Sequence, residues 1–133
     1  MNAASGERVY VIAARFKKAL KSIRRALARA GLDVVGETEI VLRRDLGPGG
    51  HTTVSRMLFV DCPLLAFEAL ALDRAAGVYL PLHVLVSPDG GRTRVLLNNP
   101  TGLREFRLPP GAVEPIETLR ARVARVVESV YRE

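Results

Sequence analysis

Cys62 and Pro63, in the stretch DCPLLAFEAL, are the residues of this sequence whose types and spacing best suit chemistry. A thiol at the first turn of a helix lies near the positive end of the helix dipole, which favours the nucleophilic thiolate. A thiol-dependent enzyme or redox protein would also need a base within hydrogen-bond reach. His83, on the strand after the helix, is the candidate. Because free cysteines are usually buried, we instead expect Cys62 to be a packed residue that ends a strand.

A second kind of site could bind an anion near the start of the same helix. Free amides at a helix N-terminus, together with asparagine side chains just past a nearby strand, can form a pocket for an anion or a carboxylate. Asparagine before proline also commonly caps a turn, and that alternative explains the same residues. The predicted ligand-binding residues are Cys62, Pro63, Asn98, Asn99 and Thr101.

The motifs for metals and cofactors are weak. One cysteine and two histidines, His51 and His83, show no ligand spacing such as C-x-x-C or H-x-x-x-H. The segment GPGGHTT, 47–53, lacks the GK[ST] ending and the strand-to-helix context of a phosphate loop, so we interpret it as a hairpin loop. We therefore predict neither a bound metal nor a cofactor.

The net charge of +6 is concentrated in one segment. Seven cations and no acid lie between Arg15 and Arg29, so the rest of the chain sums to −1. Such a stripe could neutralise nucleic-acid phosphates, although a solvated helix face is the simpler interpretation. The residues of this nucleic-acid or anion-binding alternative are Lys17, Lys21, Arg24, Arg25 and Arg29.

Length and composition indicate one globular domain over residues 1–133, with 48% apolar and 26% charged residues. A lone cysteine suits a reducing compartment, and the start MNAASGER lacks the features of a signal peptide. The most apolar tract, 58–86, contains charged residues and two prolines, which indicates a protein core rather than a membrane span. We therefore expect a cytosolic protein.

Hydrophobic periodicity then supplies the elements that position these residues. The predicted strands are 8–14, 33–44, 52–60, 81–87 and 92–97, and the predicted helices are 16–30, 63–76 and 115–131, the last one opened by Pro115. The order β-α-β-β-α-β-β-α favours the α+β class: a two-layer sandwich with a mostly antiparallel five-stranded sheet and the helices on one face. Nine residues should be nearly inaccessible in its core: Leu20, Ile23, Leu27, Val84, Val86, Leu96, Leu119, Val123 and Val126.

The tract from RMLFVDCPLLAFEAL through AAGVYLPLHVLVSPDGGRTRVLLNNP resembles the bacterial and archaeal domain-of-unknown-function family 302. That family combines an F…L…L…G helix with C-N-P-x-x-A-x-x-A-L, then G-x-x-L-P-C-x-V-x-V and a terminal N/D-P. The matching residues are Phe16, Leu20, Leu27 and Gly31, then Pro63, Ala66, Ala69 and Leu70, then Gly77, Leu80, Pro81, Val84 and Val86, and finally Pro100. The resemblance covers about residues 8–102. It implies an α+β domain similar to half of a TATA-binding-protein saddle, often dimeric, with no established biochemical function.

The chain departs from this family pattern at both cysteine positions. Asp61 stands where the family has its first cysteine, and Cys62 takes the asparagine position. The second family cysteine falls on Leu82, which His83 follows. A paired-cysteine redox or metal site, if some relatives use one, is therefore lost here.

These observations favour a small binding or accessory module, which takes an anionic ligand near Pro63, over an enzyme. A thiol-dependent enzyme is the alternative, and a nucleic-acid binder is the third hypothesis. We expect a homodimer, because the fifth strand and the apolar stripe of the last helix offer more hydrophobic surface than one thin domain covers. The resemblance also implies pairing.

Overall fold

Five strands and three α-helices follow the predicted order in the computed structural model, which describes residues 7–43, 52–98 and 108–131. The elements are β1 (Glu7–Ile12), α1 (Phe16–Arg29), β2 (Asp33–Arg43), β3 (Thr52–Asp61), α2 (Pro63–Leu72), a 3₁₀ helix (Arg74–Tyr79), β4 (Leu82–Asp89), β5 (Arg92–Asn98) and α3 (Pro110–Tyr131).

The strands form one sheet in the order β1-β5-β4-β3-β2, and every neighbouring pair is antiparallel. The first two strands of the chain are therefore the two edges, and α1 connects them across the whole width of the sheet. The turn between β4 and β5 contains Gly90, whose φ of 62° is the left-handed conformation that glycine adopts without strain. This is the predicted α+β architecture, and the fold prediction is confirmed.

The helices pack on one face of the sheet because alternate residues of each strand are apolar and buried there. The buried strand residues on this face are Leu58, Val60, Leu82, Val84, Val86, Val95 and Leu97, and they share one core with Leu20, Ile23, Leu27, Leu119, Val123 and Val127 of α1 and α3. Eight of the nine predicted core residues are buried. The prediction for Leu96 is wrong: Val95 and Leu97 point to the helices, so Leu96 faces the other side and is half-buried.

The C-terminus of α1 forms where the sequence predicts a stop. The amide of Leu32 donates to the carbonyl of Leu27, 3.0 Å away, and the amide of Gly31 donates to Ala28, 3.1 Å away. This pair of hydrogen bonds is the Schellman arrangement, and it needs the left-handed backbone that Gly31 adopts with φ 74°. The predicted helix end is therefore correct to within a residue or two.

The prediction that α2 extends to about Gly77 is wrong. The helix ends at Leu72, and Asp73 takes an extended conformation with φ −158° and ψ 121°. The Asp73 carboxylate accepts a hydrogen bond from the amide of Ala75, 2.8 Å away, and so starts the short 3₁₀ helix. Aspartate competes for backbone amides in this way and favours helix N-caps over helix interiors.

The predicted start of α3 at Pro115 is also wrong, because the helix begins at Pro110. Pro115 lies inside it and gives up one backbone hydrogen bond. Burial offsets that loss: Leu108, Ala112 and Ile116 pack against Ala69 and Ala76 in a second core cluster. The apolar stripe predicted for the rest of the helix is confirmed, since Ile116, Leu119, Val123, Val126, Val127 and Val130 are all buried.

None of the helices in the described ranges combines the length and the apolar character that crossing a lipid bilayer requires.

Candidate anion-binding site

Cys62 lies in the core between β3 and α2. It is 8% exposed, belongs to the main hydrophobic cluster and is the N-cap residue of α2. Its backbone amide donates to Oδ1 of Asp61 at 2.8 Å, while its side chain makes no capping hydrogen bond. The interpretation of Cys62 as a packed residue that ends a strand fits this position.

His83 lies on the opposite face of the sheet from Cys62. Its neighbours Leu82 and Val84 point into the core, so the imidazole is exposed on the face away from the helices. There its ring packs edge-on against Phe59, with 5.2 Å between the ring centroids. The structure therefore does not bring together the thiol and the base that the enzyme alternative requires, because alternation along β4 separates them.

Arg122, on α3, is the polar side chain that reaches Cys62. Its Nη1 lies 3.8 Å from Sγ of Cys62, and its Nη2 donates to the carbonyl oxygen of Ala30 at 2.9 Å. The second contact satisfies a carbonyl at the C-terminal end of α1, where a cation also interacts favourably with the helix dipole. Arg122 thus joins three elements: the end of α1, the start of α2 and the middle of α3.

A groove of about 410 Å³ opens beside this arginine, between the C-terminal half of α1 and α3. Two further arginines, Arg29 on α1 and Arg125 on α3, are exposed at the groove. Within the described ranges, no carboxylate forms an ion pair with any of the three guanidinium groups. The lining residues are Ala26, Arg29, Ala30, Arg122, Arg125, Val126 and Ser129.

Similarity to known proteins extends over nearly the whole chain. The family described as "Domain of unknown function DUF302" matches residues 9–130. The chain belongs to the DUF302 family. The crystal structure of an uncharacterized conserved DUF302 protein from Bacillus stearothermophilus is similar, with a TM-score of 0.76, 18% sequence identity, and 92% of this chain and 96% of that chain covered. No curated protein matches.

The DUF302 match includes α3, which lies beyond residue 102, where the resemblance seen in the sequence ends. It thus includes Arg122 and Arg125, the two groove arginines that are not among the site residues predicted from the sequence. Arg122 and Arg125 looked like ordinary polar residues on an amphipathic helix. A signal was present in their spacing, since positions three apart share a helix face, but the sequence could not place that face against α1.

The residues predicted to bind an anion near Pro63 are only partly brought together. Asn98 ends β5 at the same end of the sheet as Pro63, but β4 lies between them. Two strand spacings separate β5 from β3, about 10 Å. Asn99 and Thr101 lie outside the described residues, as do His51 and most of the GPGGHTT loop.

The cations of α1 divide into three groups. Arg24 donates from Nε to Oε2 of Glu37 on β2 at 3.0 Å, and its Nη2 also contacts Oε1 of that carboxylate, so it ties the helix to the edge of the sheet. Lys17, Lys21 and Arg25 are exposed on the outer face, while Arg29 faces the groove. The predicted basic stripe is thus shared between a structural ion pair, a solvated face and the groove.

Asp61, at the first DUF302 cysteine position, is half-buried at the end of β3. Burial raises the pKa of Asp61 above its ordinary value of 3.8. The hydrogen bond from the Cys62 amide opposes this rise, and the nearby Asp33 carboxylate adds to it. Groups of three or more potential metal-ligating side chains do not occur among the described residues.

Proposed function

We propose that this DUF302 protein is a binding module for a small anionic ligand, held in the groove between α1 and α3. The observation that supports the proposal is the convergence of Arg29, Arg122 and Arg125 on one concave surface. From the sequence, we expected such a ligand near Pro63. The proposed site is instead the groove beside Arg122, and Arg122 contacts Cys62.

The charge balance of the groove favours an anion. Like charges repel, and each exposed pair costs about 1 kcal/mol at 4 Å in water and about 4 kcal/mol at an effective dielectric constant of 20. A bound carboxylate or phosphate relieves that repulsion, and the planar guanidinium fork matches both groups in bidentate geometry. The C-terminus of α1 carries about half a negative charge, which Arg122 offsets through its bond to Ala30.

The remaining lining indicates the class of ligand. Ala26, Ala30 and Val126 give the groove an apolar wall beside the arginines. Its volume of about 410 Å³ lies in the range typical of small-molecule sites. We therefore propose a ligand that carries a carboxylate or phosphate on a small apolar body.

Calorimetric titration tests the proposal, with inorganic phosphate and hexanoate as probes at low and physiological salt. Arg125→Gln removes one exposed groove charge, and Lys17→Gln removes one exposed charge from the outer face of α1. A hydrogen bond to a charged group is worth about 1.5–3 kcal/mol, so Arg125→Gln should weaken binding about tenfold or more. Lys17→Gln should leave it within twofold.

Equal losses in the two variants would contradict a groove site and favour the nucleic-acid alternative, in which the whole basic helix contacts phosphates. If neither probe produces a binding heat at concentrations up to about 10 mM at low salt, the proposal is rejected. Acetate, used as a third probe, tests the apolar wall: hexanoate should bind more tightly than acetate.

We also propose that the module acts as a homodimer in the cytosol. The surface that we expected to mediate pairing is not available for it. Strand β5 is an inner strand, and the apolar stripe of α3 is buried in the core of its own chain. The exposed apolar residues of α2 now support self-association. The lone cysteine supports a reducing compartment.

A further inference from the structure

The outer side of α2 and the 3₁₀ helix after it form an apolar surface, which we call the α2 surface. It consists of the exposed side chains of Leu64, Phe67, Leu70, Leu72 and Val78. The described residues include ten exposed large hydrophobic side chains, and half of them lie in this short segment. Phe67 and Val78 are 71% and 72% exposed. The other five are scattered over the edge strands, β3 and the end of α3.

The composition of α2 explains why so much apolar surface remains uncovered. Its sequence, PLLAFEALAL, is apolar on every side except at Glu68, and yet only Ala69 is buried. A helix that is hydrophobic all round is normally enclosed by protein. Among the described residues, α3 and the core cover one side of α2, and the opposite side has no partner.

The geometry points to a second copy of this chain as the partner of the α2 surface, in a two-fold contact. This inference rests on the proposed homodimer and assigns its interface. The five side chains expose on the order of 500 Å², comparable with the largest apolar patch on a typical monomer. A stable interface buries about 800 Å² on each partner. Exposed side chains at Pro63, Ala71 and Ala75 flank the patch and add to its area.

The charges at the α2 surface are self-complementary. Glu68 and Arg74 are both exposed, and neither forms an ion pair with another residue in the described part of the chain. In a two-fold contact residue i of one copy meets residue j of the other, and j meets i. One acid and one base on the same surface can therefore pair twice, with Glu68 of each copy facing Arg74 of the other. Complementary charges of this kind favour specific pairing of two copies.

The sheet face away from the helices is the competing surface, and most of its apolar side chains are individually less exposed. Met57, Phe59, Leu85 and Leu96 on that face are half-buried within a single chain. Val9, on the edge strand β1, is 52% exposed on the same face. The α2 surface is therefore the better candidate for the interface.

Sedimentation velocity of the full chain from 1 to 100 µM tests the interface. The wild type should have twice the chain mass, and Phe67→Glu should raise the dissociation constant at least 100-fold without changing the circular dichroism spectrum. Val9→Glu, a matched change on the competing face, should leave the dimer intact. A wild-type monomer throughout the range, or a dimer lost with Val9→Glu and kept with Phe67→Glu, would overturn the inference.

A charge exchange tests the two-fold pairing directly. Glu68→Arg and Arg74→Glu should each weaken the dimer about tenfold, because each places two like charges opposite one another. The double variant restores complementary pairs and should recover most of the wild-type affinity. A double variant as weak as the worse single variant would contradict the pairing. Phosphate titration of Phe67→Glu separates the two proposals: binding in the groove should persist in the monomer.

Discussion

The helices α1 and α2 lie on the same face of the sheet, but they differ in which residues they bury and which they expose. Helix α1 buries Ala19, Leu20, Ile23 and Leu27, and the outer side of α1 carries cations. Helix α2 buries only Ala69 and exposes leucine and phenylalanine. One helix follows the ordinary amphipathic pattern of a surface helix, and the other has the composition of a buried helix.

The difference indicates two roles. The outer face of α1 is suited to water, and the groove between the C-terminal half of α1 and α3 is the site that we propose for an anion. The outer face of α2 is the surface that we propose for contact with a second copy of the chain. Apolar residues on a surface reduce solubility and are a liability for a monomer, so a patch of this size on so short a helix favours an interface.

The largest expected effect compares buried and exposed leucine side chains. Leu27→Ala should lower the free energy of unfolding by about 2–5 kcal/mol, because Leu27 on α1 is fully buried and a cavity would remain. Leu64→Ala on α2 should change it by less than about 0.5 kcal/mol in the monomer, since Leu64 is 66% exposed. Urea denaturation in the monomeric Phe67→Glu background measures both. Similar losses of stability in the two variants would mean that Leu64 is packed as closely as Leu27, which would contradict the exposure of Leu64.

A glycine beside α2 tests how freely its outer residues move. A Cβ built on Gly111, in the first turn of α3, would lie 2.8 Å from Cδ1 of Leu72. Leu72 is 58% exposed, so its side chain can turn away. Gly111→Ala should therefore raise the free energy of unfolding by about 0.4–1 kcal/mol through lower backbone entropy in the unfolded chain. Destabilisation in thermal unfolding would show that Leu72 is fixed.

The ion pair of α1 has no counterpart on α2 in the described part of the chain, and its contribution should be modest. Arg24 and Glu37 are both partly exposed, so solvent screens them. A double-mutant cycle with Arg24→Gln and Glu37→Gln should give a coupling of about 0.2–1 kcal/mol that declines in high salt. A coupling that persists unchanged in 1 M salt would contradict the screening argument.

The smallest effect concerns the start of α2 and depends on pH. Because the pKa of Asp61 is raised in the folded state, the native protein binds more protons than the unfolded chain above pH 3.8, and its stability falls as pH rises through that region. Asp61→Asn removes this loss and keeps an acceptor for the Cys62 amide. The variant should match the wild type near pH 3.5 and exceed it at pH 7. A gain that is constant with pH would exclude the ionisation of Asp61 as its cause.

Much of the fold could be predicted because the apolar periodicity of α1, of the strands and of the stripe on α3 agrees with the tertiary packing. The errors fall where packing overrides a local signal. Pro115 is a favourable first helical residue. However, burial of Ala112 and Ile116 against α2 stabilises an earlier turn, so α3 begins N-terminal to Pro115. In β5 the run Val95-Leu96-Leu97 has no polar residue to fix the alternation, so the sequence could not tell which face Leu96 takes.

The candidate site was less predictable, because its residues come from elements that are distant in sequence. Arg29 was selected for its charge, but its neighbours Arg122 and Arg125 become neighbours only when α3 packs against α1. The placement of Cys62 between a strand and a helix could be predicted from the sequence alone. Its contact with Arg122 could not, since 60 positions separate them.

The pairing of β1 with β5 has a consequence for how the chain folds. Tyr10 on β1 donates to Glu128, 118 positions later, and Thr93 on β5 donates to the carbonyl of Ala14, 79 positions earlier. Closing such long loops is entropically costly and slow. During synthesis β1 leaves the ribosome first, but it has no partner strand until β5 follows. We therefore expect the amides of β1 to gain protection last in pulse-labelled hydrogen exchange, after the β2–β3 hairpin has formed.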